Sequence, residues 1–209
     1  MHLSQLILNS RGTQTRRDLS DPYELHRTLS RAFAPSPQEK PQRFLWRLDT
    51  CSDNAAQPKI LVQSESPGDW EVLKALPNYL DAERGLQSKT ISLDKLLVHD
   101  GMYRFRLAAN PTVKRNGRRL GLASEAEQLN WLQRQGLSHG FEPHQALIAA
   151  DEHLTVKRSQ DSLITLRRVR IDGFLRVTDT HRLARALTSG IGPAKAFGCG
   201  LLSIAPTQS

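Results

Sequence analysis

The chain has little of what metal centres, disulfide frameworks and membranes require. Cys51 and Cys199 are its only cysteines, and two distant thiols form neither a ligand cluster nor a set of bridges, as expected in a reducing cytoplasm. No H-x-x-x-H or C-x-x-C occurs, and no carboxylate cluster suits a pair of metal ions. No apolar run reaches the roughly 18–20 residues that a membrane span needs. The opening MHLSQLILNS lacks the basic-then-apolar layout of a signal peptide and has the pattern of a strand. The expectation is a cytoplasmic protein with no membrane contact, resident metal or cofactor.

What is abundant is positive charge. Lysine and arginine number 29 against 21 aspartate and glutamate in 209 residues, a net charge of +8. A basic balance of that size points to an anionic partner, of which nucleic acid is the commonest. Hydrophobic residues at 38% and charged residues at 24% are otherwise those of an ordinary globular protein.

Hydrophobic periodicity predicts strands at LSQLILN, FLWRLDT, KILVQSE and MYRFRLAANPTV. In the last, Tyr103, Phe105 and Leu107 share one face, and Arg104 and Arg106 the other. SPGDWEVLKALPNYL, broken by Pro67, Gly68 and Pro77, is expected to be loop with a short helical turn. SEAEQLNWLQRQG has Ser124 as cap, Glu127 three residues on and Gly136 as a stop, which predicts a helix. Two strands follow around a polar turn at Ser159–Asp161, then a helix closed by Gly190 and a final strand LLSIA. Each half thus approximates strand, helix, two strands, optional helix, strand. That order is the split βαβ of the ferredoxin-like fold, an α+β class, here in tandem. The expected domains are residues 1–110 and 124–209, joined by a basic turn at 111–123.

In SDPYELHRTL, Asp21 can cap a helix, Pro22 suits its first position and Glu24 has the spacing of a capping box. Leu25, Thr28, Leu29, Ala32 and Phe33 form the stripe to be buried. Tyr23 and His26 lie beside that stripe, with Arg27 and Arg31 one turn apart on the same flank. Metal-free RNA cleavage needs such a set. A group titrating near neutrality moves protons to or from the 2′-OH and the leaving 5′ oxygen. Cations hold the phosphate and its growing charge. The same spacing also fits a structural histidine at the edge of an apolar stripe, and spacing does not separate the two.

Other basic segments could hold nucleic acid. KRNGRR places Lys114, Arg115, Arg118 and Arg119 around an Asn-Gly turn, a shape suited to a nucleic-acid groove. Lys157 and Arg158 flank another turn. The tail GIGPAKAFGCG brings Gly190, Gly192, Gly198 and Gly200 together with Lys195. Such glycines let backbone amides approach a phosphate, or they simply make the turn into the last strand. The tail is neither a Walker loop nor a dinucleotide fingerprint.

Three of these segments, RDLSDPYELHRTL, RFRLAANPTVKR and GIGPAKAFGCGLLSIAP, resemble the CasE family, the CRISPR repeat-processing endoribonucleases of the type I-E Cascade complex. The resemblance runs from the first strand to the last. It implies two RAMP-type ferredoxin-like domains and metal-independent cutting of CRISPR repeat RNA at the 3′ base of its stem-loop. The implied products are a 2′,3′-cyclic phosphate or 3′-phosphate and a 5′-OH. It implies His26 as catalytic histidine with Tyr23 as partner, Arg27 and Arg31 flanking the scissile phosphate, and Lys157 and Arg158 on RNA. The glycine-rich tail would shape the RNA-facing side of the second domain. The implied partners are the crRNA stem-loop and other Cascade subunits, chiefly the backbone subunit beside the crRNA 3′ end. A subunit that holds the hairpin without cutting shares every feature except a use for Tyr23 and His26.

Overall fold

The computed structural model describes residues 1–34, 36, 38–49, 57–159 and 162–207, with no side-chain description at 157–159 and 162. The chain divides into two compact units, Met1–Ile91 with Ala196–Gly198, and Ser92–Lys195 with Cys199–Ser209.

In the first unit, β1 (His2–Ile7) leads through α1 (Thr13–Ser20) and α2 (Pro22–Ser30) to β2 (Phe44–Asp49), β3 (Lys59–Ser64), the one-turn α3 (Glu71–Lys74) and β4 (Leu86–Thr90). The antiparallel sheet has the order β2-β3-β1-β4, which is the ferredoxin-like arrangement. Leu6, Leu8, Leu25, Leu29, Phe33, Phe44, Trp46, Ile60, Val62 and Tyr79 form its core.

The second unit holds α4 (Leu93–Leu96), β5 (Met102–Ala109), a hairpin of β6 (Thr112–Arg115) and β7 (Arg118–Gly121), α5 (Glu125–His139), β8 (Phe141–Ser159), β9 (Ser162–Val177), α6 (Thr180–Ser189) and β10 (Leu202–Pro206). Its sheet, β10-β5-β9-β8, repeats the same antiparallel order. Tyr103, Phe105 and Leu107 are buried as their alternation requires.

Three expectations need correction. The first domain does not run to residue 110. MYRFRLAA is the opening strand of the second sheet, paired with β9 and β10, and β4 closes the first sheet instead. β4 escapes pattern reading because Gln87, Ser88, Lys89 and Thr90 are all exposed on a polar edge strand. The segment 111–123 is accordingly a hairpin inside the second unit. Gly136 does not stop α5, which runs to His139 and is capped by Gly140 in the left-handed region (φ 77°). At Gly136 a Cβ would sit 2.4 Å from the Phe141 carbonyl oxygen, so glycine serves close packing there. Finally, Glu24 makes no capping box; its carboxylate takes Arg17 at 2.8 Å and Arg27 at 2.7 Å. Of the polar turn at Ser159–Asp161, Gln160 and Asp161 lie outside the described residues.

Candidate functional site

α2 forms where the cap and stripe predict. The Asp21 side chain accepts from the Tyr23 backbone N–H at 2.8 Å, and Leu25, Thr28 and Leu29 are buried. The unburied flank then carries Tyr23, 37% exposed, the half-buried His26, and Arg27, with Arg31 exposed in the following 3-10 turn. Arg27 is held by Glu24, an exposed pair of the kind that exchanges readily for another anion.

His26 is fixed on two sides by β2. Its ring stacks on Phe44 with centroids 5.0 Å apart and planes at 19°. Phe44 continues the stack onto Phe33, 4.6 Å away. The Trp46 indole N–H donates to His26 Nδ1 at 3.2 Å. An indole N–H can only donate, so Nδ1 accepts and the neutral ring carries its proton on Nε2. Burial holds the imidazole below its ordinary value of 6.5. Its ring partners on β2 are uncharged, and on the neighbouring helices Glu24 is paired with Arg17 and Arg27. Between the ordinary and the lowered value the unfolded chain binds the proton and the folded chain does not, so stability falls as pH drops through that window. Histidine-selective NMR titration should place the His26 midpoint below 6.5.

The basic hairpin is also where the sequence places it. Asn116 (φ 49°) and Gly117 (φ 75°) make its tight turn. Lys114 pairs across the ladder with Arg119, and Arg115 with Arg118, all four exposed. Like charges directly opposite one another destabilise a bare hairpin, and an anion laid along it relieves that repulsion. Replacing Arg118 and Arg119 with Ala should weaken RNA binding and flatten its log–log salt slope by roughly one unit for each phosphate no longer held. A salt titration of binding checks this, and an unchanged slope would mean that the turn meets only solvent.

Other basic groups are already engaged. Arg167 and Arg168 reach across the long β8–β9 hairpin to Asp151 and Glu152 at 2.5 and 2.6 Å. Lys195 donates to the Ser189 carbonyl at 2.7 Å, closing the end of α6. Lys157 and Arg158 belong to β8, and their side chains lie outside the described residues.

The glycines of the tail have separate tasks. Gly190 (φ 74°) caps α6, and Gly192 (φ 78°) backs onto Trp131. Gly200 donates its N–H to the Ala108 carbonyl, and its own carbonyl accepts from the Ile191 N–H. Gly198 (φ 77°) packs on Trp46. Gly190, Gly198 and Gly200 are buried, so much of this tail is packing rather than an open phosphate cradle. Burial pushes the neighbouring Cys199 thiol up to about 12, leaving it inert. Among the described residues no group of His, Cys, Asp or Glu gathers as a metal site, and no helix is long and apolar enough to cross a membrane. Sequence reasoning missed Phe44 and Trp46 as parts of the site, because strand alternation marks them only as core.

The chain as a whole has relatives of similar sequence and fold. The CRISPR-associated endoribonuclease Cse3 of Thermus thermophilus is 35% identical over 99% of this chain and 100% of its own length. The Cascade subunit CasE of Escherichia coli is 29% identical over the same shares. A structure of Cse3 bound to a 19-nucleotide RNA superposes with a TM-score of 0.87 at 35% identity, covering 99% of this chain and 100% of that one. The family of CRISPR associated proteins matches residues 1–206, and with this agreement in sequence and fold the chain belongs to that family.

Proposed function

We propose that this chain is a metal-independent endoribonuclease that cuts CRISPR repeat RNA at the 3′ base of its stem-loop. It then keeps the product as a cytoplasmic Cascade subunit beside the backbone subunit at the crRNA 3′ end. The observation that carries this reading is the His26 ring, half-buried and oriented by two aromatic partners on a face otherwise made of Tyr23 and arginines. A helix flank that only had to meet solvent or a phosphate backbone has no use for an imidazole held so closely.

The chemistry proceeds from the RNA itself. The 2′-OH upstream of the cut loses its proton and attacks the adjacent phosphorus. The P–O2′ bond forms, the P–O5′ bond breaks and the 5′ oxygen takes up a proton, leaving a 2′,3′-cyclic phosphate and a 5′-OH. His26 acts at Nε2, the ring nitrogen that Trp46 leaves unengaged: its N–H donates a hydrogen bond to the reacting oxygen on which charge grows, and the proton lost by the 2′-OH reaches the 5′ oxygen by way of solvent. Tyr23, exposed beside it, orients the nucleotide or shares the transfer. Arg27 and Arg31 balance the charge that accumulates on the phosphoryl oxygens. The β6–β7 cations, with Lys157 and Arg158, grip the stem-loop. Incubation with a stem-loop repeat RNA in EDTA should give one cut at the 3′ base of the stem. RNA bound tightly but left whole, with or without magnesium, would mean a hairpin-holding subunit instead.

A further inference from the structure

We propose that Trp46 is a positioning residue for His26, holding its ring in the tautomer protonated on Nε2, and that Gly198 is the residue that lets the indole sit where it can do so. This rests on the reading of His26 as the group that serves the cleavage.

Trp46 is fully buried on β2, and its N–H meets Nδ1 at 3.2 Å. If the proton moved to Nδ1, two N–H groups would face each other and the buried indole donor would lose its partner. Turning the ring over instead would place a carbon opposite the indole and break the same hydrogen bond. The Phe44 stack fixes the plane in which the choice is made. His26 therefore meets RNA as a donor through Nε2, able to stabilise charge growing on an RNA oxygen while itself uncharged. Accepting a proton there first requires leaving Trp46.

Gly198 belongs to the same compact unit as Trp46, although more than a hundred residues separate them in the chain. Its backbone is left-handed, and a Cβ would lie 2.9 Å from Trp46 Cζ3 and 3.0 Å from Cη2, inside the ~3.5 Å of ordinary carbon contact. The indole is closed in by the core and can yield only by shifting, which alters its hydrogen bond to Nδ1. Of Gly192, Gly198 and Gly200, it is Gly198 that has Trp46 against it. It thus acts on the imidazole through the indole that it backs.

The test uses the full-length chain with 15N-labelled histidine, at a pH above the titration of the ring. In the wild type, Nδ1 should show as an unprotonated hydrogen-bonded acceptor and Nε2 as protonated. Trp46→Phe keeps an aromatic ring but no donor. It should give mixed tautomers and slow single-turnover cleavage by roughly tenfold or more, with the RNA dissociation constant unchanged. Gly198→Ala should shift the Trp46 indole resonance and slow cleavage in the same way. A wild-type ring protonated on Nδ1 overturns the proposal without any variant. So does a Trp46→Phe protein that keeps both tautomer and rate while His26→Ala is slow. If His26→Ala itself cuts normally, the reading beneath falls and the proposal falls with it.

Discussion

His26→Ala should slow single-turnover cleavage of saturating repeat RNA by ~10²–10⁴-fold, the range over which a group positioned at the reacting oxygens ordinarily contributes. The loss should fall on the chemical step. His26 lies off the buried stripe, so α2 keeps Leu25, Thr28 and Leu29 in the core. On the proposed reading RNA affinity rests on the exposed cations of β6 and β7 and those of the α2 flank, none of which is removed. Tyr23→Phe should be milder, because the ring can still stack on a nucleotide and only the hydroxyl is gone. Leu25→Ala serves as the control. Leu25 is 1% exposed, and its truncation should cost about 2–5 kcal/mol and impair folding, binding and cleavage together. Melting curves, filter binding and single-turnover rates on the three variants separate these cases. A His26→Ala protein that loses binding or folding in proportion to cleavage would make the histidine structural.

An effect as large is expected from changing one oxygen in the substrate. A single 2′-deoxy substitution upstream of the cut removes the nucleophile and should abolish cleavage at that bond. Binding should be nearly intact, because the stem and its phosphates are unchanged. Gel assay of the deoxy RNA beside a mobility shift measures both. A deoxy substrate still cut at that bond would refute the 2′-OH mechanism.

The parts of this molecule that were legible in the sequence are those where burial and polarity alternate with a clean period. α2 and α5 announce themselves by their caps and stripes, β5 by its Tyr-Phe-Leu face, and the β6–β7 turn by Asn-Gly. Where the buried face is polar, the pattern fails. α1 buries Thr15 and Asp18, and Asp18 is satisfied by the Tyr79 hydroxyl at 2.9 Å and Gln14 at 2.9 Å. No apolar periodicity marks such a helix. β4 fails for the complementary reason, an exposed edge strand made of polar residues. With β4 unseen, β5 falls to the wrong sheet, since alternation identifies a strand but not its partners. The candidate site divides similarly. Tyr23, His26, Arg27 and Arg31 lie on one helix and its closing turn, so helical spacing marks them as candidates. Trp46 and Gly198 join His26 only through tertiary packing, and nothing local in GIGPAKAFGCG points to an indole on β2.

The end groups of the cleaved RNA test the central claim most directly. Mass spectrometry of both fragments, from a reaction run in EDTA, should find a 2′,3′-cyclic phosphate or its 3′-phosphate on the stem-loop fragment and a 5′-OH on the downstream one. A 3′-OH on the stem-loop fragment with a 5′-phosphate downstream would mean that water, not the ribose, attacked the phosphorus, and would contradict a cleavage served by His26 and its neighbours.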